Sequence, residues 1–359
     1  MGKSVEKEFQ RTLTNCTQAI DRTFMLLNEA ATGLEKVPWT DVKKSAEQVS
    51  KQATTAGFLW SSQQLKLATG QENIKAFCDS LHGFLLLCHG STVGAGPTLR
   101  NAIQLSAKQV VDSSLQFINK AISVTGAQDA ERKTVIPQFV GRVWEASNSL
   151  AKTPTSNSIA IGRNLAQVAA SVKDVIREMG DLKESEIRLE NGLAGNVSEI
   201  RTDGVEGQSD GESTCSLEID DRLSPEEMEI AKSVKDFVSL ILVVLKEILY
   251  AITGMSQCLK ENDTIYLHPL ERILELCQEM SIQVDEVGAC CYPPQEVQKI
   301  RASTQKIWDF IDGLCLELQK IDGSSLDGFM LATGKLEKSL ATLKTILDAS
   351  DSGKAEGEN

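Results

Sequence analysis

The side chains best suited to chemistry in this sequence are His82, Cys88 and His89, two imidazoles and a thiol close together in the chain. Such residue types build metal sites when they converge. Their spacing argues against convergence. On a helix rising 1.5 Å per residue the two imidazoles stand about 10 Å apart along the axis, too far to share one ion. His268 sits next to Pro269 at the start of a helix and reads as a surface or capping residue. Glu226 and Glu227 pair two carboxylates, but in the first turn of a helix, where the macrodipole favours acids. The P-loop pattern, the dinucleotide-binding glycine pattern, the nucleophile elbow and the zinc-binding H-E-x-x-H are all absent. The reading is a non-enzymatic protein with no catalytic residue, no metal ligand and no cofactor.

Nine cysteines remain: Cys16, Cys78, Cys88, Cys215, Cys258, Cys277, Cys290, Cys291 and Cys315. The number is odd, none forms a C-x-x-C pair, and most fall on apolar helical stripes. That is the pattern of reduced, buried thiols in a cytosolic or nuclear protein. The start Met1-Gly2-Lys3-Ser4-Val5-Glu6 lacks the apolar run of a signal peptide and carries Glu6 where a myristoylation signal wants Ser or Thr. The apolar run from Phe237 to Leu245 is broken by Lys246 and Glu247, short of a bilayer span. The Asn-x-Ser/Thr matches at Asn15, Asn196 and Asn262 therefore carry no meaning. Formal charge is −13, and no Lys/Arg run exceeds a pair such as Lys43-Lys44. A polyanion would be repelled, which excludes direct nucleic-acid contact and an anionic membrane surface.

The elements that must position whatever function remains are helices. Leu270, Ile273, Cys277, Met280, Val284, Val287 and Cys291 recur at 3-4 spacing, as do Val297, Ile300, Ile307, Ile311, Leu314, Leu318 and Ile321 around Thr304. Leu326, Phe329, Leu336, Leu340, Leu343 and Leu347 do so around Thr333. Each set is one apolar seam that must be buried. Ile230 to Met255 carries two stripes and belongs in the middle of a bundle. Ser224-Pro225-Glu226-Glu227 is a capping box with Pro at the first helical position, and Pro293-Pro294 opens the following helix. The N-terminal half repeats the pattern. One seam runs from Phe9 to Leu27, a second from Trp39 to Trp60, and a shorter helix from Ile74 to Cys88. Further helices cover Leu99 to Val124 and Ala130 to Lys152, the latter started or kinked by Pro137. A last one, after Thr153-Pro154, carries Ile161, Leu165, Val168, Val172, Val175 and Met179. No alternation of period two appears, so strands are not expected.

Asp181 to Arg222 holds twelve acids against four bases, net −8, with interrupting glycines and few large apolar residues. Such a stretch cannot bury enough to offset its ordering entropy and reads as a disordered acidic linker. Within it, Ser209-Asp210-Gly211-Glu212 suits an acidophilic kinase, which makes Ser209 a phosphorylation candidate. The expected organisation is all-α: two antiparallel helical bundles, 1–180 and 224–349, joined by the linker 181–223, with a loose tail 350–359. The seams are those of an intramolecular core and leave the oligomeric state open.

Two short segments carry a resemblance: Leu27-Asn28-Glu29-Ala30-Ala31 at the end of the first helix, and Cys291-Tyr292-Pro293-Pro294 with Arg301, Ala302 and Ser303, preceded by Asp285-Glu286. With the order of parts, they make the chain similar to the cyclin-D-binding protein family, D-type cyclin interactors of helix-loop-helix type without a basic region. The resemblance implies an all-α fold of two bundles, residence in cytoplasm and nucleus, and negative regulation of cell-cycle progression. It implies D-type cyclins or helix-loop-helix transcription factors as partners. It marks no catalytic residue, leaving Asn28, Glu29, Ala30, Ala31, Tyr292, Pro293 and Pro294 as the family-like positions. Tandem antiparallel bundles also occur in vinculin- and catenin-like scaffolds, so a cytoskeletal adaptor is the alternative expectation.

Overall fold

A computed structural model describes residues 2–61, 66–124, 129–182, 223–254, 264–321 and 326–356. Among them are ten α-helices, two short 3-10 turns and no strand. The helices are α1 (Gly2–Met25), α2 (Trp39–Ser61), α3 (Leu67–Ser91), α4 (Pro97–Ser123), α5 (Asp129–Ser149), α6 (Asn157–Met179), α7 (Pro225–Gly254), α8 (Leu267–Ala289), α9 (Val297–Gln319) and α10 (Asp327–Glu356). The fold class is all-α, as the aliphatic spacing requires. The acidic stretch from residue 183 to 222, Ser209 included, lies outside the described residues.

Two compact units emerge, each discontinuous in sequence. The first comprises Met1–Gln167, Ile248–Leu276 and Leu314–Leu326; the second comprises Val168–Glu247, Cys277–Gly313 and Asp327–Asn359. Periodicity shows that a helix face is buried but not which helix buries it, so this division has no signature in the sequence.

In the first unit, α2 packs on α3 and α5, α1 on α3, and α4 on α5. Small residues make the α2 packing close: Ala46, Ala53, Ala56 and Gly57 are buried, and a Cβ at Gly57 would come within 2.6 Å of Val140 Cγ2. The Phe9 ring meets Trp60 edge to face at 5.0 Å, and Phe77 meets Phe117 the same way at 5.8 Å. Trp60 also donates its indole N–H to Asn73 Oδ1 at 3.0 Å. That bond helps explain why α3 starts at Leu67 rather than near Ile74. Neither Gln71 nor Asn73 belongs to an apolar seam, yet Gln71 donates to Thr12 Oγ1 on α1, and the neighbouring Gly70 is buried. At the other end α3 runs on to Ser91, because Gly90 packs against Val37 where a side chain would collide. Pro137 lies inside α5 rather than at its start. The carbonyl it leaves without a helical partner belongs to Lys133, an exposed residue.

The start of α4 is held by side chains distant in sequence. Buried Asn157 accepts from the Gly96 N–H at 2.8 Å and donates to the Gly94 carbonyl at 2.9 Å. Glu271 accepts from the Thr98 N–H at 3.1 Å and from its hydroxyl at 2.6 Å. A carboxylate thus caps the positive end of α4 from another helix. Glu271→Ala is expected to lose about 1–3 kcal/mol of unfolding free energy by stranding these donors, and Glu271→Gln less. Urea unfolding measures both, and equal losses in the two variants would remove the charge from this account.

In the second unit the capping box forms as the sequence dictates: the Ser224 N–H donates to Glu227 Oε2 at 2.9 Å and the Glu227 N–H to Ser224 Oγ at 3.1 Å. The two-striped helix α7 is met there from several sides. Lys235 reaches Gly180, Gln295 donates to the Glu227 carbonyl, and Gly328 approaches the Glu247 side chain. By length and composition alone α7 would qualify as a membrane span. However, Val234, Phe237, Val238, Ile241 and Val244 are all fully buried in protein, as a central bundle helix requires. Thr304, the break in the α9 seam, is itself buried and returns its hydroxyl to the Ile300 carbonyl at 2.8 Å. Two boundaries differ from the sequence reading. The helix after Pro293-Pro294 begins only at Val297, because the Gln295 side chain ties that turn to the carbonyls of Glu227 and Cys291. The last helix continues through positions 350–356. Arg301 bonds Asp348 at 2.7 Å and Asp351 at 3.1 Å, and Gln298 bonds Asp351 at 3.0 Å, so α9 holds that turn.

Candidate protein-interaction site

The residues that suggested chemistry do not converge on one site among the described residues. His82 Nδ1 lies 2.8 Å from the Thr23 hydroxyl, linking α3 to α1. At His89 it is the backbone that closes the end of α3, its carbonyl accepting from the N–H and hydroxyl of Thr92, while the buried ring Nδ1 meets no hydrogen-bond partner among the described residues. Among the described residues no group of His, Cys, Asp and Glu is arranged to hold a metal ion. Burial pushes the Cys88 and Cys277 thiols well above the ordinary range and that of Cys291 up to about 12. Burial does the same for Cys78, helped by the neighbouring Cys16. Thiols in that state are poor nucleophiles at neutral pH.

The family-like positions divide between the two units. Leu27-Asn28 closes a 3-10 turn after α1, with Leu27 buried as the anchor and Asn28, Glu29 and Ala30 exposed. Gln104 on α4 donates to Asn28 Oδ1 at 2.7 Å, the Glu29 N–H returns to the Leu26 carbonyl, and the Ala30 carbonyl accepts from Thr32, leaving Ala31 inside that turn. The first motif shapes a turn. In the second unit Pro293 and Pro294 shape another, but Tyr292 does more. Its half-exposed ring lines a groove of about 490 Å³, with Asp285, Gly288 and Ala289 of α8 and Val175, Glu178 and Met179 of α6.

This groove has an apolar floor and an acidic rim. Gly288 lets α6 and α8 approach: a Cβ there would stand 2.7 Å from Val175 Cγ1. Val175 and Met179, members of the α6 seam in the sequence reading, here also line an opening. Partial burial raises the Asp285 pKa above its ordinary value, and the nearby Glu178 charge adds to the shift. The folded state therefore holds the Asp285 proton to higher pH than the unfolded chain does, and stability falls as pH rises through that window. Asp285→Asn is expected to match the wild type in melting temperature below about pH 4 and to exceed it progressively above. Thermal melts across that range check the sign, and a variant less stable at neutral pH would contradict it. Glu178, which the sequence reading passed over, gave no signal there because only the fold sets it beside Asp285.

A second surface lies in the first unit. Phe58 on α2 is 83% exposed and Trp144 on α5 48% exposed. Trp144 donates to the Ser50 carbonyl and the Thr54 hydroxyl, two turns and one turn before Phe58 on the same face of α2. Exposed rings held by a rigid helix pair are the composition of a protein interface, as is an acid-rimmed apolar groove.

Residues 41–185 match the N-terminal domain of the Grap2 and cyclin-D-interacting proteins, and residues 208–315 match the C-terminal domain. The chain belongs to the Grap2 and cyclin-D-interacting family. It is 26% identical over 275 residues to the human Cyclin-D1-binding protein 1, covering 75% of this chain and 72% of that protein. It is also 23% identical over 273 residues to the Xenopus laevis homolog, covering 75% of this chain and 76% of its relative. The match defines a distant member of the family. Both domains contribute to the groove, Val175, Glu178 and Met179 from the first and Asp285 to Tyr292 from the second, whereas Asn28 to Ala31 precede the matched span.

Proposed function

We propose that this protein works as a non-enzymatic interaction scaffold that binds D-type cyclins and thereby restrains cell-cycle progression. The observation that carries the reading is membership of the Grap2 and cyclin-D-interacting family across both of its domains. Rigid helical surfaces with exposed aromatic residues support the binding reading. Helix-loop-helix transcription factors are the second partner class, and cytoplasm and nucleus the compartments where both would be met. Co-precipitation of the tagged chain from dividing cells of its own organism tests the proposal. D-type cyclins enriched over a tag-only control are expected. Their absence, with the bait folded and abundant, removes it.

A further inference from the structure

We propose that the groove between α6 and α8 is a docking site for a basic amphipathic helix of a partner protein. The inference does not depend on which protein that partner is. Three features of the groove define the occupant. Val175, Met179, Gly288 and Ala289 make a floor for apolar side chains or for the aliphatic stems of Lys and Arg. Glu178 and Asp285 stand on the rim close enough for the first to raise the pKa of the second, with no cation paired to either among the described ion pairs. Tyr292 offers a half-exposed ring, on which a guanidinium or ammonium can lie. Ile282, one turn before Asp285 on the same helix face, is 62% exposed and lengthens the apolar strip along α8. A strip of that kind fits a helix presenting apolar residues at i and i+4 with cations beside them.

Charge complementarity also decides against the nearest competing occupant. The segment that follows α6 in this chain carries twelve acids against four bases from Asp181 to Arg222. Seating it on an acid-rimmed groove would place like charges together, whereas a cationic helix relieves the repulsion between Glu178 and Asp285.

The probe is a synthetic, fluorescently labelled helix of leucine and lysine in amphipathic register, with a twin in which glutamate replaces each lysine. Anisotropy titrations use the full chain, the double variant Glu178→Lys/Asp285→Lys, the milder Glu178→Gln/Asp285→Asn, and Asp309→Lys as a control on an exposed carboxylate elsewhere. The wild type is expected to bind the basic helix and not its acidic twin. The charge-reversed groove should weaken binding about tenfold or more, the neutralised groove several-fold, and the control hardly at all. Binding that is absent in the wild type, or equally weakened by the control, overturns the proposal. So does a photo-crosslinker at Ala289 that captures residues 181–222 of the same chain. A D-type cyclin that binds the charge-reversed variant normally leaves the proposed function standing and places that partner on another surface.

Discussion

Phe84→Ala is expected to lower the unfolding free energy by about 3–5 kcal/mol, a large share of what a domain this size possesses. Phe84 is fully buried in α3, flanked on its own helix by Phe77, Leu81, Leu85 and Cys88, all of them at most 1% exposed. Removing the ring deletes its transfer free energy and leaves a cavity that close-packed helices cannot fill. Urea titration should show an earlier midpoint at an unchanged slope. Phe84→Leu, which restores most of the volume, should recover more than half of the loss. A cost below about 1 kcal/mol would mean that α3 is not packed on the core as described.

The second large effect concerns the thiols. Under native conditions Cys88 and Cys277 should react with an uncharged alkylating agent at least about a thousandfold more slowly than the part-exposed Cys16 and Cys315, because the buried pair must await unfolding. Burial also disfavours the thiolate of each, so the native rate should not switch on as pH passes the ordinary cysteine range near 8.5. Mass spectrometry of tryptic peptides resolves the sites. Rapid labelling of Cys277 in folded protein would show that the buried seam of α8 opens easily. The two predictions are linked: Phe84→Ala should accelerate labelling of Cys88, one turn away, by about tenfold for each ~1.4 kcal/mol of stability lost.

Much of this fold was legible in the sequence because aliphatic spacing is a direct record of which helix face is buried. Leu270 to Cys291 reads as one seam, and every one of its seven apolar positions is fully buried. The capping box at Ser224 was equally plain, since both of its bonds are local. What stayed hidden depends on partners far along the chain. The first turns of α3 are polar and contain Gly70, and only Thr12 and Trp60 explain why they stay helical. The last turns of α10 depend on Arg301, about fifty residues earlier. The candidate site followed the same rule. Tyr292 and Asp285 stood in a motif that sequence alone could single out, but the groove they line needs Glu178 and Val175 from α6. Phe58 and Trp144 were missed because periodicity finds the residues that hide and is silent about those that do not.

The most direct test of the account is calorimetric titration of the purified, folded full-length chain with a purified D-type cyclin of the same organism. The account predicts saturable binding with a negative heat-capacity change, the mark of apolar surface buried between two preformed proteins. Absence of saturable heat at every temperature, from a chain whose helical signal and cooperative melt are intact, would contradict it.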